Sequence, residues 1–110
     1  MTLYVGFYTP NPDWTREVAA KFRQGELQPG QPVEPIATKV RELPRKLPQG
    51  CKLLASYGPV GQSPDVVEAR RLPGIQLIET DDPAHLTFIS QYYAGYLSFF
   101  FHPYNPVART

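Results

Sequence analysis

Residues 74–103 read GIQLIETDDPAHLTFISQYYAGYLSFFFHP, and the order of elements in this stretch governs the reading of the chain. Two apolar runs, 75–78 and 97–101, flank a segment that begins Asp81-Asp82-Pro83. Asp82 has the short acceptor side chain that caps a helix start, and Pro83 has the fixed φ that suits a first helical position. Leu86, Ile89 and Tyr93 then recur at helical spacing, widened by Phe88 and Tyr92. Ala94-Gly95 ends the helix, and Pro103 and Pro106 stop the run that follows. The stretch therefore predicts a strand over 74–80, a helix over 83–93 and a strand over 96–102.

Upstream, the same pattern occurs once more. Residues 3–8 (LYVGFY) alternate as a strand does, and Thr9-Pro10-Asn11-Pro12 stops them. Asn11 and Pro12 open a helix over 12–24 whose apolar stripe is Trp14, Val18 and Phe22, with Gly25 as its C-terminal cap. Prolines at 29, 32, 35, 44 and 48 then break the periodicity, and only 36–43 (IATKVREL) is patterned for two turns of helix. Residues 51–57 (CKLLASY) are the second strand. Residues 58–74 form a second loop, in which 65–72 either hold a short helix capped by Ser63 or extend the hairpin.

The resulting order, β-α-β-β-α-β, predicts an α+β fold of the ferredoxin-like, split βαβ type. It has a four-stranded antiparallel sheet with both helices on one face. One domain spans residues 1–110, with 26–49 as a long proline-rich loop inserted after the first helix.

Composition bounds the rest. Apolar residues make up 42% of the 110 residues and aromatic residues 13%, enough for burial to offset chain entropy. The net charge of +1 has both signs interspersed, so neither nucleic acid nor an anionic membrane surface is an expected partner. Cys51 is the only cysteine, which rules out an intrachain disulfide and a multi-cysteine zinc site. With no secretory pattern at the start and no apolar run near twenty residues, a reducing cytoplasm is the expected setting, and no cofactor motif is present.

Strand alternation assigns the sheet faces. Leu3, Val5, Phe7, Leu53, Ala55, Ile75, Leu77, Leu97, Phe99 and Phe101 are the set expected under the helices. The opposite face would hold Tyr4, Tyr8, Lys52, Leu54, Ser56, Gln76, Ile78, Thr80, Ser98, Phe100 and His102. That set is aromatic and polar with little charge, unlike a solvated sheet face, and predicts homodimerisation across it or along its edge.

Three blocks resemble a known family. Residues 48–57 (PQGCKLLASY) resemble a P-E-G-V-K-L-L-G-x-W segment. Residues 74–83 (GIQLIETDDP) resemble G-F-x-L-V-E-T-D-D-P, and 93–103 (YAGYLSFFFHP) resemble W-A-D-L-L-E-L-E-V-T-P. Together they are similar to the domain of unknown function 3303 family of small bacterial proteins. The likeness covers 51–103 well and the first strand and helix loosely. Tyr57 and Tyr93 stand where tryptophans are usual, Gly95 replaces an acid, and the loops at 26–48 and 58–73 are longer. The resemblance implies a dimeric α/β-barrel and leaves chemistry open, because a shared fold carries no function.

Candidate chemistry is sparse. His102 is either an acid–base group lining a barrel cavity or a hydrogen-bonded interface histidine, the more common case. Glu79, Asp81 and Asp82 cluster, but capping and the helix dipole explain the two aspartates, leaving Glu79 as the second catalytic candidate. No metal site is expected from so few ligands. Tyr4, Tyr8, Ser56, Phe100 and His102 are the expected ligand-lining set on the open face. His85 reads as a surface residue. Cys51 reads as a small buried hydrophobe, although the adjacent Lys52 would favour its thiolate. Arg41, Arg45 and Lys46 read as a solvated basic run.

The leading expectation is a homodimeric structural, binding or regulatory module without catalysis of its own. The alternative is a small cofactor-independent enzyme or binding protein for an aromatic or apolar molecule, with His102 as base. A third is an interaction module whose proline-rich arm, 27–48, docks on a protein partner.

Overall fold

In the computed structural model, residues 1–59 and 72–105 are described. The elements are β1 (Thr2–Pro10), α1 (Pro12–Arg23), α2 (Ile36–Lys46), β2 (Lys52–Tyr57), β3 (Gly74–Thr80), α3 (Pro83–Tyr92) and β4 (Leu97–Tyr104). The strands form one antiparallel sheet in the order β2-β3-β1-β4. Among the described residues the α+β architecture is thus a four-stranded antiparallel sheet with three helices. The expected short helix at 65–72 and most of the 58–73 loop lie outside the described residues.

Local chemistry fixes the helix starts where the sequence places them. The Asn11 side chain accepts from the backbone N–H of Asp13 at 2.9 Å and of Trp14 at 3.4 Å. Asp82 accepts from the N–H of Ala84 at 3.0 Å, and a proline stands just inside each helix. Thr15 and Ala19 are the buried residues of α1, whereas Trp14, Val18 and Phe22 are only half-buried.

Prolines interrupt less than expected. Helix α2 runs through Pro44 to Lys46, three residues beyond the predicted end. Pro44 is exposed and near the C-terminus, so the missing donor frees a single carbonyl on the wet side. The 26–49 segment therefore carries a full helix, and its Leu43 is completely buried in the core. Strand β4 likewise runs through Pro103, which pairs with Tyr4. It lies at the sheet edge, where a ladder donor is not needed on the outer side.

The helix-covered face differs from the expected one in β1 and β3. The core cluster is Leu43, Cys51, Ile78, Ile89, Tyr93 and Leu97, with Tyr4, Tyr8, Leu53, Phe99 and Phe101 packed against it. In β3 the buried residues are Gly74, Gln76, Ile78 and Thr80, while Ile75, Leu77 and Glu79 point the other way. Tyr4, Gly6 and Tyr8 pair with Ile78, Gln76 and Gly74, so they share that covered face. The reason is steric. A Cβ on Gly74 would lie 2.0 Å from the Tyr8 ring, and one on Gly6 would lie 2.7 Å from the Phe101 ring. Each ring lies against a glycine, and together the rings make the surface on which the helices rest.

Strand β2 adds a second irregularity. Leu53 pairs with Ile78 but Ala55 pairs with Leu77, a β-bulge that shifts the alternation by one residue. Leu53 and Ser56 consequently face the helices, and Lys52, Ala55 and Tyr57 face outward.

The glycine packing predicts a specific stability loss. Gly74→Ala should lower stability by about 1–3 kcal/mol in urea unfolding, because the added methyl displaces Tyr8. The double variant Gly74→Ala, Tyr8→Ala should lose clearly less than the sum of the single changes, since the clash needs both groups.

Candidate functional site

The face of the sheet that no helix of the described residues covers is the candidate site. Its rows follow from the strand register. Phe7 lies between Ile75 and Phe100, Val5 between Leu77 and His102, and Leu3 between Glu79 and Tyr104. Strand β2 adds Tyr57 beside Ile75, Ala55 beside Leu77, and Lys52 beside Glu79. Phe100 is 67% exposed and Tyr57 is 62% exposed. Leu3, Val5, Phe7, Ile75 and Leu77 are half-buried by their strand neighbours, yet none belongs to the core cluster or to the residues packed on it. At the Leu3 end a groove of about 500 Å³ is lined by Leu3, Val5, Glu79 and Tyr104, with Met1, Thr2 and Asn105 at its margin.

The expected ligand-lining set is divided between the two faces. Phe100 and His102 are on the open side, where the His102 ring meets Phe7 edge-on at 5.8 Å. Tyr4, Tyr8 and Ser56 are on the helix side. The Tyr8 hydroxyl donates to the carbonyl of Tyr57 at 3.1 Å. Burial pushes its pKa up, and the Ser56 hydroxyl beside it partly offsets that rise. These five residues therefore do not line one pocket. The two catalytic candidates, His102 and Glu79, do share the open face, but β1 separates their strands by roughly 10 Å. That is too far for a direct acid–base pair.

The remaining candidates find structural partners. Asp81 accepts from the N–H of Thr2 at 3.0 Å and anchors the start of β1, and Asp82 caps α3. His85 is mostly buried rather than on the surface. Its Nδ1 lies 2.6 Å from the Thr80 hydroxyl, and its Nε2 lies 3.7 Å from the Asp82 carboxylate. Thr80 is fully buried, so this hydroxyl–imidazole–carboxylate series offers no reachable nucleophile and locks the β3–α3 corner. Cys51 is buried, and desolvation pushes its thiol up, opposite to what a reactive thiolate needs.

The 27–48 arm is engaged by its own domain. Lys39 Nζ donates to the carbonyl of Tyr92 at 3.0 Å, and the Tyr92 hydroxyl donates back to the carbonyl of Lys39 at 2.7 Å. The same ammonium sits 4.4 Å from the Tyr92 ring centroid. Arg41, Arg45 and Lys46 lie on the exposed side of α2, the last two within 4.0 Å and 3.4 Å of Glu42. At the N-terminus of α2, the Glu34 carboxylate takes the N–H of Thr38 at 2.8 Å in place of a side-chain cap, and hydrogen bonds to Thr38 lower its pKa.

Sequence reasoning missed the open-face residues Leu3, Val5, Phe7, Ile75 and Leu77 by assigning them to the core. The available signal was the two glycines, Gly6 and Gly74, standing among aromatic residues of the same face. Beneath the helices, fully buried Tyr93 stacks on Phe99 at 5.3 Å and meets Tyr92 at 4.9 Å. Its hydroxyl and the Gln76 amide oxygen are buried without a completed hydrogen bond.

Burial pushes the Tyr93 phenol up to about 12, with the Gln76 side chain pulling the other way and Tyr92 and Tyr8 adding to the rise. The folded phenol holds its proton above the range in which the unfolded chain releases it, so this contribution is intact below pH ~10 and is lost as pH rises through about 12. Tyr93→Phe should flatten that alkaline loss in urea unfolding series at increasing pH. At neutral pH it should change stability by less than about 1 kcal/mol, because no hydrogen bond is removed.

Among the described residues no helix is long and apolar enough to cross a membrane. No family model, no curated protein and no solved structure matches the chain.

Proposed function

We propose that the chain is a self-associating module whose open sheet face is covered by a second copy of itself. In this reading it is a ferredoxin-like unit of the dimeric α/β-barrel type, acting as a structural, binding or regulatory module without catalysis of its own. The observation that carries it is the apolar open face, whose centre is Val5, Phe7, Ile75, Leu77 and Phe100, with no helix of the described residues over it. A contiguous face of this kind marks an interaction surface, whereas scattered exposed apolar residues do not.

Several features support the finer fold. The β2-β3-β1-β4 order places each crossover, β1 to β2 and β3 to β4, around one intervening antiparallel strand. That is the arrangement of two interlocked βαβ halves, with α2 as an addition to the first. The blocks at 48–57, 74–83 and 93–103 that resemble the domain of unknown function 3303 family favour the same reading. A reducing, cytoplasmic setting suits the single buried thiol of Cys51.

Size is compatible with a dimer. Four strands spaced by ~4.8 Å and seven residues rising ~3.3 Å each give a flat footprint of roughly 450 Å². Side-chain relief raises the accessible area above that figure, toward the about 800 Å² per partner of a standard interface.

The groove at the Leu3 end favours one further reading. A copy laid over the face would close it into a cavity lined by Leu3, Val5, Tyr104 and the Glu79 carboxylate, suited to a small, largely apolar molecule. His102 stands one row away on the same face and would be the acid–base group if the cavity had chemistry. In that case His102→Ala should abolish turnover of a bound aromatic substrate while leaving the dimer intact.

The primary reading is tested by sedimentation velocity. The wild-type chain is expected to be a dimer at micromolar concentration. Phe100→Asp places a carboxylate where a phenyl ring would be buried, and should weaken the dimer by roughly 10- to 150-fold. Because Phe100 is 67% exposed in the single chain, the monomer should keep its circular dichroism spectrum. A wild-type protein that stays monomeric at tens of micromolar would overturn the proposal.

A further inference from the structure

The groove at the Leu3 end of the open face stops at a pair of opposite charges. Glu79 lines the groove together with Leu3, Val5 and Tyr104. Lys52 is its direct register partner on β2, on the side of Glu79 away from Leu3. Cross-strand partners hold their Cβ atoms about 4.5–5.5 Å apart, so one small molecule can touch both side chains. The two charges do not neutralise each other. Among the described residues the ion pairs are Arg16–Asp13, Arg45–Glu42, Lys46–Glu42 and His85–Asp82, and neither Glu79 nor Lys52 has a side-chain hydrogen bond.

From this we infer that the groove takes a free α-amino acid with a large apolar side chain. The ligand's ammonium meets Glu79, its carboxylate meets Lys52, and its side chain lies along Leu3 and Val5 toward Tyr104. This deepens the reading of the groove as a ligand site and rests on it, while the groove itself is formed by one chain. An α-amino acid carries its two charges one carbon apart, a separation that neighbouring strands can match. The flexible four-carbon stem of Lys52, which is exposed, lets its ammonium follow the ligand. Other ligand classes fit the charges less well. A simple amine satisfies Glu79 but sets a second cation beside Lys52, and a simple carboxylate sets a second anion beside half-buried Glu79. An uncharged molecule strips water from the Glu79 carboxylate and returns no partner to it. The rest of the lining is apolar, and Tyr104 is 48% exposed, so its ring still has surface for a ligand to cover. A volume of about 500 Å³ falls within the roughly 300–1,000 Å³ of small-molecule sites, where a few polar groups orient an apolar body.

The test is an amide-resolved NMR titration with three probes of similar shape: L-phenylalanine, phenethylamine and 3-phenylpropanoate. L-phenylalanine is expected to shift the amides of Leu3, Val5, Glu79 and Tyr104, and the two single-charge probes should bind at least about tenfold more weakly. Glu79→Gln and Lys52→Gln should each weaken L-phenylalanine binding at least about tenfold. Lys52→Gln should leave phenethylamine binding no weaker, and Glu79→Gln should do the same for 3-phenylpropanoate, because neither probe gains from the charge removed. Both sites lie on the open face rather than in the core cluster, and circular dichroism checks that each variant folds.

Failure takes distinguishable forms. If a single-charge probe binds as tightly as L-phenylalanine, or both variants bind L-phenylalanine like the wild type, the amino-acid class is wrong while the groove stands as an apolar ligand site. If none of the probes shifts the groove amides, the ligand reading of the groove fails and this inference fails with it. Sedimentation of the same samples reads the dimer separately. A wild type that is monomeric yet binds L-phenylalanine removes the dimer and leaves this inference standing.

Discussion

The rings of Tyr8 and Phe101 lie across the bare backbones of Gly74 and Gly6, and much else in the structure depends on that contact. A ring over each glycine turns one side of the sheet into an aromatic floor. Phe99 joins that floor by stacking on Phe101 at 5.4 Å and approaching Tyr8 at 5.2 Å. Tyr93 then descends from the end of α3 onto Phe99, and its carbonyl holds the N–H groups of Tyr96 and Leu97 as the chain turns into β4. The helices are seated by this floor. Once they are seated there, the aliphatic residues of β1 and β3 are left on the outside.

Most of the element order could be read from the residues, because capping and breaking act locally. Asn11-Pro12 and Asp82-Pro83 start helices where they stand, and β3 spans the predicted residues. Face assignment could not be read the same way, because it depends on pairing. Ranking by hydropathy placed Leu3, Val5 and Phe7 inside and Tyr4 and Tyr8 outside, but tyrosine buries its ring as well as phenylalanine does once its hydroxyl has a partner. Tyr8 has one in the carbonyl of Tyr57, a residue 49 positions away. Alternation puts Gln76 and Thr80 on the face opposite the helices for the same reason, yet both are fully buried on the covered side. The bulge between Leu53 and Ala55 moved Ser56 across the sheet, and no local rule forecasts a bulge. The candidate site was therefore legible as a feature, an uncovered face, while most of its residues were assigned to the wrong side.

The proline-rich segment shows the opposite error. Its composition suggests a loop, yet its centre folds as α2 and contributes fully buried Leu43 to the core. Neither proline count nor local periodicity reveals the reciprocal Lys39–Tyr92 clasp, which joins backbone carbonyls 53 residues apart. Long-range hydrogen bonds of this kind convert a poorly patterned segment into an ordered one. What α2 shows outward is Val40 with Arg41, Arg45 and Lys46, a mixed surface rather than an apolar one.

Self-association along the sheet edges is disfavoured by the edge strands themselves. β4 carries Pro103 within its paired length, which removes a donor, and β2 is six residues long and broken by a bulge. Short, bulged or proline-bearing edges are how sheets avoid adding strands. Among the described residues the open face has no such protection. Its centre lacks charge, its exposed rings include Phe100 and Tyr57, and its charged pair stands at one end, as in interfaces with an apolar centre and a polar rim. Strong edges with a weak face would point to fibres or extended sheets. Blunted edges with an apolar face suit the closed pair proposed above, because covering the face of each copy would leave no equivalent surface for a third.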